Sequence, residues 1–129
     1  MMIYLDSSIM LAELLSEDRK APSDLWDQEL TSSRLLEYEV WNRIHARGLG
    51  HSHAAETVWL LEKCGLLELT PMIFRRALEP FPIAVRTLDG LHLATMTYLH
   101  DGGRTVELAS FDGRLVSAAG LLGVPAYAG

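Results

Sequence analysis

Four acidic residues stand where their carboxylates could act together. Asp6 and Asp112 each follow a short apolar run and precede a helical pattern, whereas Glu39 and Asp89 lie inside amphipathic helical segments. A carboxylate buried without a partner is costly, so each of these must lie near solvent, pair with a cation or bind a metal ion. Converging carboxylates suit the hard cations Mg²⁺ and Mn²⁺, which prefer oxygen ligands. Metal-assisted hydrolysis of a phosphodiester is the chemistry that such a cluster predicts.

Helical periodicity distinguishes Glu39 from its neighbour Glu37. At about 100° per residue, one face of this segment is apolar. That face carries Leu35, Leu36, Val40, Ile44 and Ala46. Glu39 lies roughly 50° from the centre of the face, whereas Glu37 lies roughly 110° from it. The sequence therefore predicts that Glu39 points inward and that Glu37 is the more solvated of the two.

Three of the four acids also have a purely structural interpretation. Asp6 and Asp112 would cap the helices that follow them, and Asp89 would be stabilised by the positive end of a helix dipole. Around Asp89 we expect a core stripe at helical spacing, made of Leu88, Leu91, Thr95 and Tyr98. The functional interpretation is favoured because all four acids lie at strand ends or at inward-facing positions of helices.

Short apolar runs predict the strands that would position these residues. The runs cover residues 2–5, 30–32, 66–69, 106–110 and 124–127. Because helical patterns separate them, the connections are crossovers, and the predicted fold is α/β with a mainly parallel sheet covered on both faces. In such sheets, ligands bind beyond the carboxyl ends of the strands, which is where Asp6 and Asp112 stand.

Helices are predicted between the strands from caps and periodicity. Ser7 or Ser8 caps the first helix, and Ser33 caps a long helix that Gly48 closes. A later helix is expected to stop at Gly65. After the first helix, the predicted ranges are 22–28, 34–47, 53–63, 71–79, 87–99 and 113–121.

Length and composition fit one compact domain over residues 1–129. Hydrophobic residues make up 49% of the chain and charged residues 22%, which is typical of a globular protein rather than a disordered one. The single cysteine, Cys64, excludes an intrachain disulfide. The N-terminal stretch lacks a basic region and is interrupted by Asp6 and Glu13. We therefore expect no signal peptide and no membrane span, but a soluble cytoplasmic protein.

The charge balance excludes one class of nucleic-acid-binding protein. The 11 basic and 17 acidic residues give a net charge of −6, which rules out a basic protein held on nucleic acid by bulk electrostatics. A nucleic-acid enzyme that uses bound cations remains open. Nine of the 11 positive residues are arginine, whose planar guanidinium suits bidentate contact with phosphate.

Four segments carry a resemblance to a known family. In order and spacing they resemble the PIN-domain ribonucleases, and they most resemble the VapC toxins of bacterial type II toxin–antitoxin pairs. The segments are YLDSS (4–8), SRLLEYE (33–39), RTLDGLHLAT (86–95) and SFDGRL (110–115). The resemblance covers essentially the whole chain. It implies a three-layer, parallel α/β/α sandwich, an endoribonuclease activity that depends on Mg²⁺ or Mn²⁺, and a homodimer.

The resemblance also implies roles for the acids and a partner for the protein. The expected catalytic and metal-binding residues are those that match the family's acidic positions: Asp6, Glu39, Asp89 and Asp112. Water would attack an RNA phosphodiester in line, and no side-chain nucleophile is required. The partner of such a toxin is an antitoxin whose C-terminal segment wraps around it and can place an arginine against these acids. A net charge of −6 suits a basic segment of that kind.

Four further residues are predicted to lie beside the substrate or the metal. Ser8 matches a small polar position of the family, and Ser110 occupies a position that is more often threonine. Arg86 and Arg114 flank two of the acids and could bind phosphate. The alternative for both arginines is a solvated surface position. Gly90, next to one of the acids, stands where alanine is commoner.

Other interpretations of the sequence are weaker or remain open. Zinc is disfavoured, since no standard site matches the spacing of His45, His51, His53 and Cys64. His92 is expected to be a core histidine bonded to the backbone rather than a catalytic base. Alternatives to a toxin are a housekeeping PIN nuclease without an antitoxin, a catalytically silent binding module, and a signalling receiver with an acidic Mg²⁺ pocket. The receiver is disfavoured because Asp6 stands alone after the first strand.

Overall fold

The computed structural model describes residues 1–128, and Gly129, the last residue of the predicted domain, lies outside the described residues. The strands are β1 (Met2–Leu5), β2 (Glu29–Ser33), β3 (Cys64–Leu67) and β4 (Val106–Ala109). The helices are α1 (Ser7–Leu14), α2 (Arg34–Ala46), α3 (Ala54–Glu62), α4 (Pro71–Ala77), α5 (Thr87–Asp101) and α6 (Gly113–Leu121). A short 3₁₀ helix covers Ser23–Asp27. No helix within residues 1–128 is long and apolar enough to cross a membrane.

The strands form a parallel sheet in the order β3-β2-β1-β4. Met2 of β1 pairs with Glu29 of β2 on one side and with Val106 of β4 on the other. The chain leaves β1 toward β2, whereas β4 lies on the opposite side of β1. The topological switch therefore falls between β1 and β4, which is the position where open parallel sheets bind ligands.

The predicted fifth strand over residues 124–127 is wrong. Within the described part of the chain, this segment pairs through an isolated bridge between Ala126 and Leu108 of β4. The amide of Leu108 donates to the carbonyl of Pro125 at 2.8 Å, and its carbonyl accepts from Tyr127 N at 2.9 Å. Pro125 has no N–H with which to continue a ladder, so the pairing stays short.

Helices cover both faces of the sheet, and each face has its own core. Alternation along β1 sends successive side chains to opposite faces. Ile3 and Leu5 pack in the core formed with α1, α2 and α3. Met2 and Tyr4 pack in the core formed with α5 and α6. The predicted three-layer α/β/α architecture is confirmed.

Helix α2 follows β2 without a loop and behaves largely as its sequence predicts. The hydroxyl of Ser33 caps it by accepting a hydrogen bond from Leu35 N at 3.1 Å. Its buried side chains are those of Leu36, Val40 and Ile44. Ala46 is exposed, because the last buried residue of the helix is Ile44. The side chain of Glu39 is 18% exposed and that of Glu37 is 44% exposed, which confirms their predicted orientations.

Helix α5 is buried more widely than its periodicity predicts. Of the predicted core stripe, Thr95 is buried, but Leu88 and Leu91 are half-buried and Tyr98 is exposed. The buried residues are Gly90, His92, Leu93, Ala94, Thr95, Met96, Thr97 and Leu99. The helix contacts the sheet, α4 and α6, so its burial does not follow a single stripe. A pattern of one apolar face applies to a helix that is covered from one side only.

Several other boundaries differ from the prediction. Asp6 caps α1 in place of Ser7 or Ser8, because its side chain accepts from the amide of Ser8. Gly65 does not end α3 but lies within β3, where it pairs with Thr31. The hydroxyl of Thr31 also donates to the carbonyl of Gly65 at 3.1 Å, which ties the edge strand to the sheet. The second predicted helix is the short 3₁₀ helix.

Candidate active site

The carboxyl ends of β1 and β4 bring Asp6 and Asp112 to the switch point of the sheet. The amide of Asp6 donates to the carbonyl of Ala109 at 3.0 Å, which continues the β1–β4 pairing up to the start of α1. Asp6 caps α1 and Asp112 caps α6. The structural interpretation of both residues as caps is confirmed, and each cap uses one carboxylate oxygen.

Two serine hydroxyls fix the carboxylate of Asp6. Ser8 Oγ donates to Asp6 Oδ2 at 2.6 Å, and Ser110 Oγ donates to the same oxygen at 2.8 Å. Ser8 Oγ in turn accepts a hydrogen bond from Phe111 N at 3.0 Å. Asp6 is only 7% exposed, so these partners replace the water that its charge would otherwise lose on burial.

Ser110 joins Asp6 to Asp112. While its hydroxyl donates to Asp6, it accepts from the amide of Asp112 at 2.9 Å. Asp112 Oδ1 accepts from the amides of Arg114 and Leu115 at 3.0 and 3.3 Å, the arrangement of a helix N-cap. One serine therefore sets the spacing of the two aspartates from β1 and β4.

Glu39 reaches the same region from α2 and is held by a histidine of α5. Glu39 Oε1 lies 2.5 Å from His92 Nε2, and His92 Nδ1 lies 2.7 Å from the hydroxyl of Tyr4. His92 is buried, as predicted, but its partners are side chains rather than the backbone. The contact joins α2 and α5, which cover opposite faces of the sheet, at the carboxyl end of the strands.

Asp89 enters the region from the first turn of α5. Burial raises the pKa of Asp89 above its ordinary value, and the negative charges of Asp112 and Asp6 raise it further. His92 acts in the opposite direction, and Glu39 adds a smaller increase. The helix N-terminus alone would favour a charged carboxylate, but burial and the neighbouring acids act against it.

One open cleft of about 330 Å³ contains all four predicted acids. Its lining consists of Asp6, Ser7, Ser8, Leu11, Glu17, Arg19, Glu39, Arg43, Arg86, Asp89 and Asp112. Ser110 lies beneath the acids and contacts Asp6. Arg114 does not line the cleft; its side chain is exposed and its amide binds Asp112. The structure therefore gathers six of the eight predicted site residues in the lining and places Ser110 directly behind them.

A family model of the PIN domain matches residues 3–121. The chain belongs to the PIN-domain family. PIN domains are in general nucleases, a class of hydrolase that uses divalent metal ions, and the match sets aside the receiver-type alternative. No match to the chain was found among curated proteins.

Two arginines of this PIN domain line the cleft without having been predicted there. Arg43 lies one turn after Glu39 on α2, and that i,i+4 spacing is a signal that could have found it. Arg19 lies in the loop after α1, where no periodicity points to the cleft. Its guanidinium lies 4.8 Å from the ring centroid of Phe111 and donates to the Phe111 carbonyl at 3.3 Å. Arg86 lines the cleft as predicted.

The donor set of the PIN domain fits a hard divalent cation. Asp6 is bound through Oδ2, Glu39 through Oε1 and Asp112 through Oδ1, and no hydrogen bond within residues 1–128 reaches the second oxygen of any of them. Carboxylate oxygens of this kind are the ligands that Mg²⁺ and Mn²⁺ prefer.

The carboxylates of the PIN domain do not form a closed ligand cage. Among the described residues, no three His, Cys, Asp or Glu side chains are grouped so that they would hold a metal ion directly. Mg²⁺ usually binds through one or two carboxylates and retains several waters, so an open acidic cleft suits it better than a cage would.

Proposed function

We propose that this PIN domain is an endoribonuclease that depends on Mg²⁺ or Mn²⁺ and acts as the toxin of a type II toxin–antitoxin pair. The observation that carries the proposal is that four carboxylates from separate parts of the chain line one cleft. Burial and then the negative charges of Asp112 and Asp6 raise the pKa of Asp89, so the arrangement opposes folding rather than assisting it. Ionisable groups that are held close together despite the repulsion between their charges are typical of functional sites.

The acids divide into a principal set and a completing residue. Asp6, Glu39 and Asp89 would hold the principal cation, directly or through water, and Asp112 would complete its surroundings. When bound, such a cation lowers the pKa of a coordinated water and offsets negative charge on a phosphoryl oxygen. The carboxylates supply the oxygen ligands, and the cleft leaves one side open to the substrate.

Ser8 and Ser110 orient an acid rather than contact the RNA in this proposal. Both hydroxyls already donate to Asp6, at 2.6 and 2.8 Å. Water is the attacking group in the proposal, and no side-chain nucleophile is required. The serines keep the charge of Asp6 turned toward the cleft.

The arginines provide the phosphate contacts. Arg19, Arg43 and Arg86 line the same cleft as the acids, and guanidinium groups bind phosphate oxygens in a bidentate manner. They would hold the phosphates on either side of the scissile bond. A protein of net charge −6 would thus bind RNA through local positive charge. Arg114, whose side chain lies outside the cleft, is not part of this set.

RNA cleavage by the purified protein tests the enzymatic part of the proposal. Cleavage should require Mg²⁺ or Mn²⁺ and stop with EDTA. Asp6→Asn and Asp89→Asn should each lower the rate by more than about 100-fold, the upper end of what loss of an outer partner costs. Glu39→Gln should lower the cleavage rate to a similar extent, whereas Glu37→Gln, on the solvated side of α2, should leave the rate unchanged. Full activity in both aspartate variants would overturn the proposed site.

Co-expression tests the toxin–antitoxin part. Expression of the protein should arrest growth, and the product of the neighbouring upstream reading frame should relieve the arrest. Asp89→Asn should be tolerated without that product. Cleavage without toxicity would favour a housekeeping PIN nuclease, and RNA binding without cleavage would favour a non-catalytic module.

A homodimer is the proposed assembly. Large apolar side chains are exposed on and just after α4 and on α5: Met72, Phe74, Leu78 and Tyr98. A second copy of the chain would cover an apolar surface of this kind. Light scattering should give the mass of a dimer, and Phe74→Glu should shift it toward the monomer. A wild-type monomer at all concentrations tested would contradict the assembly.

A further inference from the structure

A tyrosine and a histidine form a buried connection behind Glu39. Tyr4 OH lies 2.7 Å from His92 Nδ1, and His92 Nε2 lies 2.5 Å from Glu39 Oε1. Tyr4 is fully buried and His92 is 1% exposed, whereas Glu39 lines the cleft. The connection therefore runs from the core behind β1 to the carboxylate at the surface.

The surroundings of Tyr4 hold its hydroxyl against the histidine. Burial raises the pKa of the Tyr4 phenol above its ordinary value, so the phenol keeps its proton. The hydroxyls of Ser32 and Thr95 donate to the carbonyls of Leu5 and Leu91, both at 2.8 Å. The Tyr4 hydroxyl is hydrogen-bonded to His92 Nδ1 and, being fully buried, cannot turn to water instead.

The other edge of the ring binds the glutamate. A carboxylate only accepts hydrogen bonds, so His92 Nε2 donates to Glu39 Oε1, and the carboxylate is bound through that oxygen. Rotation of the glutamate would leave a buried N–H without a partner, which is costly. The second oxygen is left for other ligands.

We infer that His92, held in place by its hydrogen bond to Tyr4, is the positioning residue that fixes Glu39 in the cleft. The inference rests on the proposed metal-dependent function, because a fixed glutamate matters most where its second oxygen binds a cation. A partner behind a ligand sets its orientation and its basicity. The arrangement also ties α2 to α5 across the end of the sheet.

A spectrum of the imidazole tests the geometry without any reaction. A long-range ¹H–¹⁵N correlation spectrum of the full chain at neutral pH should show a proton on Nε2 of His92. Its signals are identified by their absence in His92→Gln. Tyr4→Phe should move the Nδ1 signal, and Glu39→Gln should move the Nε2 signal. An Nε2 that carries no proton, or ring signals that stay unchanged in both variants, would overturn the inference.

Affinity for Mn²⁺ tests the consequence for Glu39. His92→Phe removes both nitrogens while keeping an aromatic ring, and should weaken Mn²⁺ binding in calorimetry by about 10–100-fold. The kcat for RNA should fall by a similar factor while KM stays unchanged. His92→Gln, whose amide can donate to Glu39, should recover part of both. Thr97→Val is the matched control, because it removes a buried α5 hydroxyl that bonds only to the carbonyl of Leu93.

The outcomes separate this inference from the proposed function. Mn²⁺ binding without RNA cleavage by the wild type would end the nuclease proposal, yet the affinities of the variants would still decide the role of His92. Wild-type affinity in both His92→Phe and Tyr4→Phe would overturn the positioning role and leave the nuclease proposal intact. If His92→Phe does not fold, Tyr4→Phe carries the comparison. A wild-type protein that binds no Mn²⁺ would overturn both.

Discussion

Different hydrogen-bond donors hold three of the acids, which are Asp6, Glu39 and Asp112. Serine hydroxyls hold the first, a histidine holds the second and helix amides hold the third. In each case the donors bind one carboxylate oxygen, and no hydrogen bond from the described residues reaches the other. Side chains locked in this way need little rearrangement when a ligand arrives, which is the condition for an efficient site.

Asp89 is the acid for which function and stability conflict most directly. Its pKa is raised by burial and by Asp112 and Asp6, so the folded state disfavours its charge. An acid whose folded pKa exceeds its unfolded value costs stability that appears as the pH rises above about 4. Asp89→Asn should therefore melt at a higher temperature than the wild type at pH 7, with a smaller difference near pH 4.5.

Calorimetric melting at the two pH values checks this prediction, with RNA cleavage measured alongside. The variant should gain stability while losing activity. A melting temperature below that of the wild type at pH 7 would show that the helix N-terminus, rather than the other acids, governs the charge of Asp89.

Replacement of Ser110 should lower RNA cleavage, because this one side chain contacts both Asp6 and Asp112. Ser110→Ala removes the donor to Asp6 and the acceptor for the Asp112 amide, and should lower RNA cleavage about 10–100-fold with the fold retained. Ser110→Thr keeps the hydroxyl and should remain near the wild-type rate. Ser117→Ala, on the exposed side of α6, serves as the control in the same assay. Equal rates in the Ser110→Ala and Ser117→Ala variants would contradict this role.

Residue types and local patterns predicted the acids, but not the histidine and tyrosine behind Glu39. Asp6 and Asp112 follow strands, and Glu39 lies near an apolar face, so each could be found from a short window. The bond between His92 and Glu39 spans 53 positions, and that between Tyr4 and His92 spans 88. Such contacts depend on the packing of α2, α5 and β1, which periodicity does not contain.

At the scale of elements, the sequence predicts best where a segment meets the core from one side. Helix α2 has one apolar face and one cap, and Ser33 and the buried positions follow the pattern. Helix α5 is packed between several neighbours, so its burial is not confined to one face and the predicted stripe fails. The strand predicted over residues 124–127 fails for a different reason, because Pro125 interrupts its hydrogen bonding.

Gly90 offers a stability test within α5. A Cβ at this position would lie 3.5 Å from Phe81 and 3.7 Å from Val85, which are ordinary contacts. Gly90→Ala should therefore raise the free energy of unfolding by about 0.5–1 kcal/mol, the usual gain inside a helix. Urea denaturation measures the change, and RNA cleavage should be retained.

Gly123 is the matched comparison for Gly90. Its φ is +92°, and a Cβ there would approach His100 to 3.0 Å. Gly123→Ala should therefore destabilise the protein, since a side chain is strained in this conformation. Loss of stability in Gly90→Ala would mean that α5 packs too tightly against the loop that precedes it to accept a methyl group.

At the scale of the whole molecule, three arginines lie among the acids of the cleft, where a polyanion would need positive charge. The chain carries a net charge of −6, yet Arg19, Arg43 and Arg86 line the acidic cleft. Arg43→Gln should weaken RNA binding at low salt and reduce the slope of log affinity against log salt by about 0.7, the value for one phosphate contact on a single strand. Filter binding over a salt series, with Mn²⁺ held constant, measures the slope. The control is Arg75→Gln, an exposed arginine of α4; equal slopes in both variants would place the RNA elsewhere.

The central claim is that Asp6, Glu39 and Asp89 share one divalent cation. A crystal of the protein grown with Mn²⁺, measured by anomalous scattering, tests it most directly. We predict one strong anomalous peak in the cleft, within coordination distance of at least one of these carboxylates and bridged by water to the others. That peak should vanish in crystals of Asp89→Asn grown in the same way. Mn²⁺ bound only elsewhere on the protein, with the cleft acids bonded to protein groups or water alone, would contradict the claim.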